Sequence, residues 1–228
     1  MTAKAMKKRF IVGLAMLIFS LSLFAFTTYA WFTYLTTDTF FGTVGFVDVE
    51  PDVYFYDAEA VGNRVPATEV EIASGVYKPG VYFVNIVSNG DDYFFENFRL
   101  SIDVLSNVDT YVRIRIYEQV TLTYVNYLGV VTELTVLNEE YMPFDYETTN
   151  WYDNRDIDGY IYYKLPVQRV DGSTPTPLDL IADYTLAGFS TFSPGYSLQI
   201  AFSLEAVQAT DGPENNWDLA TPPWGGTW

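Results

Sequence analysis

The chain has 228 residues, with 29 Asp plus Glu against 12 Lys plus Arg, 19 Tyr, 17 Phe and 5 Trp, and neither His nor Cys. Without those last two residue types it can build no disulfide, no thiolate or imidazole metal site, no cysteine nucleophile and no Ser-His-Asp relay. A formal charge of −17 opposes nucleic acid, whose binding depends on neutralising phosphates, and 49% hydrophobic against 18% charged residues is the composition of one folded domain, not of an acidic coil.

The first element is a leader. Lys4, Lys7, Lys8 and Arg9 form a basic cluster, Phe10 to Phe26 carries no charge, and Thr28-Tyr29-Ala30 ends in a small residue at a plausible cleavage position. Residues 1–30 therefore read as a secretory signal. The uncharged run continues to Thr37, long enough to span a bilayer if it is retained, so a membrane anchor through residues 10–35 is the second reading. Both predict an N-terminal hydrophobic helix, and both put the remainder outside the cell. The four bases of the leader leave 29 acids against 8 bases beyond it, a formal −21.

From residue 40 onward the dominant period is two. Strands are expected over Val44 to Val49, Val53 to Tyr56, Val81 to Val87, Phe98 to Val104 and Val112 to Ile116. Further strands are expected over Leu122 to Tyr127, Val130 to Leu137, Gly159 to Val167, Tyr184 to Phe189 and Tyr196 to Gln208. In the last of these Leu198, Ile200, Phe202, Leu204 and Ala206 share one face and Ser197, Gln199, Ser203 and Glu205 the other, the pattern of a half-buried antiparallel strand. Turns are expected at Lys78-Pro79-Gly80, Asn89-Gly90-Asp91, Leu128-Gly129, Asp158-Gly159, Asp171-Gly172 and Ser193-Pro194-Gly195. No segment carries a sustained helical stripe. The predicted fold class is all-β, an antiparallel two-sheet sandwich over residues 50–209 with jelly-roll topology, preceded by the hydrophobic helix.

Two segments stand outside the strand pattern. Glu139 to Asp158 is a polar and aromatic insertion. Its Asp153, Asn154, Asp156 and Asp158, followed by Gly159, place oxygen ligands as in the first half of a calcium loop, although the position that should carry a bidentate carboxylate is Leu165. The other reading is an Asp-Gly turn leading into a strand. Tyr146, Trp151 and Tyr152, set among carboxylates, offer flat faces on which a surface glycan would stack; alternatively they cover a long loop. Residues 210–228 form a tail rich in Pro, Gly and Trp. Its Trp217, Trp224 and Trp228 would dock on a partner subunit or fold back on the chain's own sheets.

The run Thr28-Tyr29-Ala30-Trp31-Phe32-Thr33, then Asp38-Thr39-Phe40 and a strand ending Val47-Asp48-Val49, resembles the start of the TasA and camelysin family of secreted bacterial biofilm-matrix proteins. Tyr77-Lys78-Pro79-Gly80 followed by an apolar strand and Ser88-Asn89-Gly90, and the final strand with Phe202-Ser203-Leu204-Glu205-Ala206 and Gln208, resemble two further stretches of that family. The chain is richer in Tyr and poorer in Lys than those proteins. The resemblance implies a jelly-roll subunit that assembles head-to-tail into extracellular fibres, its partners being further copies of itself and other matrix proteins. It also implies that the segment after the signal completes a sheet of the next subunit.

Residues 31–49 have the chemistry for that role. Trp31, Phe32, Phe40, Val44, Phe46 and Val47 supply apolar anchors, and Gly42 and Gly45 allow close backbone approach. The alternative is that this segment is the first strand of its own domain. Camelysin relatives carry a metallopeptidase label, but a chain without histidine cannot build that site. No enzyme is expected, and no cofactor beyond the calcium of the alternative loop reading. A structural, filament-forming role is the leading functional reading, and a monomeric cell-surface binding module for glycan, with or without calcium, is the alternative.

Overall fold

The structure, a computed structural model, describes residues 45–57, 62–88, 90–136, 141–167, 174–182 and 189–228, together with Met16. Compactness divides the chain into two units, Met1–Val44 and Gly45–Trp228. The expected N-terminal helix, cleavage site and anchor, with Trp31, Phe32, Phe40 and Val44, lie outside the described residues apart from Met16, which is helical. No helix among the described residues is long and apolar enough to cross a membrane.

The second unit is all-β and antiparallel. Its strands are β1 (Val47–Tyr56), β2 (Arg64–Pro66), β3 (Glu69–Ala73), β4 (Val76–Val84), β5 (Phe98–Ser106), β6 (Thr110–Val125), β7 (Val131–Val136), β8 (Trp151–Asp153), β9 (Ile161–Tyr163), β10 (Thr176–Ile181) and β11 (Tyr196–Gln208), followed by one short helix, α1 (Gly212–Trp217). A four-stranded sheet runs β10-β5-β1-β2. A seven-stranded sheet runs β3-β4-β11-β6-β9-β8, with β7 also paired to β6.

Period-two alternation is what lets these sheets share one core. Phe98, Leu100, Ile102 and Val104 of β5 and Leu178 and Leu180 of β10 meet Val112, Ile114, Ile116 and Val120 of β6 and Leu198 and Ile200 of β11 in a single buried cluster. The expected inner face of β11 is complete, since Phe202, Leu204 and Ala206 also pack on that cluster. Each fully buried side chain of this size contributes about 1.5–3 kcal/mol of hydrophobic stabilisation before entropy is counted. A one-residue slip between β6 and β11, paired without irregularity from Tyr196 and Leu122 to Gln208 and Thr110, would turn every such residue to the outside.

Several strand boundaries differ from expectation, and proline accounts for three of them. Val47 to Val49 of the first expected strand and Val53 to Tyr56 of the second are one strand, β1, through Pro51, which pairs with Ile102; Val44 lies outside the described residues. Strand β2 reaches only Tyr54 to Tyr56, so the proline's missing N–H lies on a free edge and costs no ladder bond. Lys78-Pro79-Gly80 is not a turn but part of β4; the register slips between Glu71 and Glu69, Gly80 takes φ +69°, and its N–H donates to Glu69 Oε1 at 2.7 Å. The proline is carried in a bulge, and the chain reverses at Ser74-Gly75 instead. Strand β10 was hidden in sequence by Pro175 and Pro177; it pairs only with β5, which is where a sheet tolerates proline.

The remaining differences are of extent. Val112 to Ile116 and Leu122 to Tyr127 are halves of the 16-residue β6, Gly159 to Val167 contains only the three-residue β9, and Trp151–Asp153 forms β8 inside the insertion. Residues 183–188, most of the expected Tyr184 to Phe189 strand, and the Asp171-Gly172 turn lie outside the described residues.

Candidate functional site

The outward-facing residues of β6 carry the chain's densest arrangement of charged and aromatic groups. Arg113 pairs in register with Glu205 of β11 on one side and Tyr162 of β9 on the other. Its guanidinium donates to Glu205 Oε2 through Nε and Nη2 at 3.0 and 2.6 Å and lies over the rings of Tyr160 and Trp217, 3.9 and 4.6 Å from their centroids. Tyr160 donates to the other Glu205 oxygen at 2.5 Å. Burial pushes the Glu205 carboxyl up, but the hydrogen bonds from Tyr160 and Arg113 outweigh it and leave the group below the usual carboxylate range. Two residues further on, Arg115 also lies over the Tyr160 ring, 4.2 Å from its centroid, and donates to Asp158 O at 3.0 Å.

The insertion is tied to the opposite face of the same strand. Glu118 points inward with Ile116 and Val120, its side chain 4% exposed. It accepts from Met142 N at 2.6 Å and Tyr146 Oη at 3.5 Å, and stands 3.7 Å from Arg155 Nη1. Arg155 lies over the rings of Tyr141 and Tyr146, 4.3 and 4.5 Å from their centroids, and donates in a two-pronged arrangement to Asp153 at 3.0 and 2.7 Å.

Burial raises the Glu118 carboxyl to about 7, against the lowering effect of Met142 N–H, Arg155 and Tyr146. Arg155, though desolvated, is held charged by its closer partner Asp153, which explains why the more distant Glu118 gains too little from it to ionise easily. Burial also raises Asp153, but its bonds from Arg155 reverse that and leave it lowered. Perturbed groups of this kind occur at functional sites and in structural ion-pair networks alike. Here every polar atom named is engaged within the fold, so the knot fastens the insertion over the core edge, where Met142 and Phe144 close the cluster.

Between these two groups lies an open cleft of about 560 Å³, lined by Arg115, Tyr117, Gln119, Tyr141, Asp158 and Gly159 among others. Tyr117 and Tyr141 are 52% and 47% exposed. No protein-family model, curated protein or solved structure matches the chain.

The residues singled out in sequence are distributed as follows. Asp153 is committed to Arg155. Asn154 is buried and donates from Nδ2 to Asp158 Oδ2 at 2.8 Å, and Asp158 also accepts from Tyr160 N and from Tyr162 Oη. Asp156 is exposed. The segment has turn geometry: Ile157 N and Asp158 N donate to Asn154 O, and Gly159, at φ +85°, donates to Arg155 O. Among the described residues no three acidic side chains converge on one point.

Of the stacking candidates, Trp151 is 3% exposed, donates to Asp179 O at 2.8 Å and meets the edge of Tyr163. Its ring belongs to the core and offers no face to a sugar. Tyr146 is absorbed by Arg155 and Glu118, and Tyr152 packs toward Trp224. The exposed rings of the cleft are Tyr141, a member of the insertion's aromatic cluster that the sequence offered for stacking, and Tyr117 of β6. Tyr117 shares the outer face of β6 with Arg113 and Arg115, which marks it as outward-facing but not as a wall of a cleft, since the insertion that supplies Tyr141 lies far off in sequence.

The tail folds back on its own domain. Trp217, 8% exposed, joins Tyr111 and Tyr162 in a second buried cluster that Val207, Trp224 and Trp228 extend, and Trp228 donates from its indole to Leu219 O at 2.8 Å. Of the N-terminal anchors, Phe46 is exposed at the mouth of β1, its N–H donating to Asn107 Oδ1 at 2.7 Å. Val47 pairs with Ser106 of β5 in the same chain.

Proposed function

We propose that this protein is a structural subunit of an extracellular matrix or filament, assembling head-to-tail through the segment that precedes Gly45. The observation that supports this most directly is the position of β1. The strand nearest the start of the domain, β1, begins at Val47 between β5 and β2, and 44 residues precede Gly45 in the sequence. Val47 to Val49 pair with β5 of their own chain, which narrows a donor strand to residues 31–44. A strand supplied from there would gain main-chain hydrogen bonds on a neighbour's open sheet edge, and such an exchange does not close on itself.

A jelly roll is the finer fold consistent with this reading. The chain crosses between the two sheets from β2 to β3, from β4 to β5, from β5 to β6, from β9 to β10 and from β10 to β11, the alternation expected of Greek-key connections. The resemblance of both ends and the middle of the exported chain to the biofilm-matrix family supports the same function. A formal −21 beyond the leader makes subunits repel, so added salt or divalent cations strengthens assembly.

Electron microscopy of the exported protein at low and moderate ionic strength tests the proposal. Filaments that lengthen with salt are expected, and deletion of Trp31 to Phe41 abolishes them; undiminished filaments from the truncated chain refute the donor role. The cleft between Tyr117 and Tyr141 favours a second reading, a surface module that binds glycan by stacking, in which case the same preparation shows discrete monomers.

A further inference from the structure

The hairpin of β6 and β7 runs out beyond the sheet that carries it. Strand β11 accompanies β6 only as far as Leu122, whereas β6 and β7 stay paired to Val125 and Val131, leaving a two-stranded ribbon with a turn at its end. From Gln119 to Thr132 there is not one charged residue, in a chain with 29 acids. Tyr127 at the turn is 95% exposed, and Tyr124, Val125, Leu128, Val130 and Val131 are also exposed.

Two features tell what kind of surroundings this ribbon suits. Val125 and Val131 form one cross-strand pair and Tyr124 and Thr132 the next, so apolar groups project from both faces of the ribbon as well as from its tip. A protein partner covers one face; a fluid apolar medium surrounds both. The turn also pairs most of its own backbone donors. Asn126 N donates to Val130 O and Gly129 N to Asn126 O, both at 2.9 Å, while Asn126 Oδ1 accepts from Leu128 N and Val130 N at 2.9 and 3.1 Å. A tip with four of its five N–H groups from Asn126 to Val130 already paired loses less on leaving water, which favours entry into the bilayer interface.

We propose that the β6–β7 hairpin is a membrane-contacting element whose tip, Tyr127 and Leu128 flanked by Val125, Val130 and Val131, inserts into the interface of a lipid bilayer. The reach is adequate. From Leu122, where pairing with β11 ends, to Asn126 at the turn is four residues of extended chain, about 13 Å at about 3.3 Å each, against a headgroup layer of roughly 5–8 Å on each side of the hydrocarbon. Tyrosine, with an apolar ring and a polar hydroxyl, suits that boundary. The acidic body sets the lipid class: zwitterionic headgroups accept the tip, and an anionic surface repels the domain behind it. This goes beyond the assembly reading and does not depend on it.

The absence of native cysteine permits a clean test on the full chain. An environment-sensitive dye is attached at Leu128→Cys and, separately, at Ile157→Cys, a control site 82% exposed in the insertion, and phosphatidylcholine vesicles bearing a lipid-attached quencher are added. The label at 128 shifts to shorter wavelength and is quenched several-fold more than the label at 157. Tyr127→Asp, made in the Leu128→Cys chain, removes that excess. Because both labels share one N-terminal leader, attachment through the leader alone gives equal quenching, which overturns the proposal. So does the absence of any lipid-dependent change at 128, or a shift there that needs protein concentration and no lipid, the signature of a second copy on the ribbon.

Discussion

Replacing Glu118 by glutamine isolates an acid that the fold holds strongly against its ionisation. Its carboxyl is raised from 4.5 to about 7, chiefly by burial. Between those values the folded chain keeps the proton that the unfolded chain has released. Stability therefore falls as pH rises, by about 1.4 kcal/mol per unit. Below the unfolded value both states are protonated and nothing is lost; above about 7 both are ionised and the full cost, about 3 kcal/mol, is present.

The side-chain amide introduced by Glu118→Gln keeps the shape and an acceptor for Met142 N–H but does not titrate. Urea unfolding of both proteins from about pH 5 to about pH 8 is the assay, because the difference between the two curves cancels every other carboxylate, including the lowered Glu205 and Asp153. The Glu118→Gln chain gains on the native one across that window by about 2–3 kcal/mol. A difference that stays flat refutes the argument, and means that Arg155 at 3.7 Å already compensates the charge.

Three further outcomes are expected. Trp217→Ala removes the centre of the second cluster, where the indole meets Tyr162, Trp228 and Arg113. It costs about 3 kcal/mol and lowers the melting temperature by about 6–12 °C; an unchanged melting curve would mean that the tail does not stabilise the domain. Calcium titration at an ionic strength that already screens the acidic surface gives no saturable heat and no melting shift, because Asp153 is held by Arg155 and Asp158 by Asn154, Tyr160 and Tyr162; saturable one-site heat would restore the metal reading. Arg113→Lys, which keeps the charge but not the fork that grips Glu205, destabilises by about 1–2 kcal/mol in denaturant unfolding, and an unaffected midpoint would refute the pairing.

Local chemistry set much of this architecture. The alternation in β5, β6 and β11 is written in adjacent residues, because a strand's side chains alternate whatever lies around it, and so all-β character and most of the core were legible. The turn read at Lys78-Pro79-Gly80 was misleading, and Pro51 and Pro177 stand inside strands that the sequence did not show as continuous, since whether a missing N–H costs a bond depends on which edge it faces. Only pairing decides that.

The site was harder to read for the same reason. The insertion's acids and rings stood in plain view, but Trp151 turned inward to Asp179, and Asp153 turned to a guanidinium two residues away. Charge neutralisation and burial are settled between residues far apart in sequence: Glu118 with Arg155, Arg113 with Glu205 and Trp217. By itself the sequence determined which residue types were absent, which excluded whole classes of chemistry, and that all 29 acids lie beyond residue 30. The tertiary structure decided which of the many Tyr and Trp rings face water and which face one another, because exposure is a property of the packed surface and no residue carries it alone.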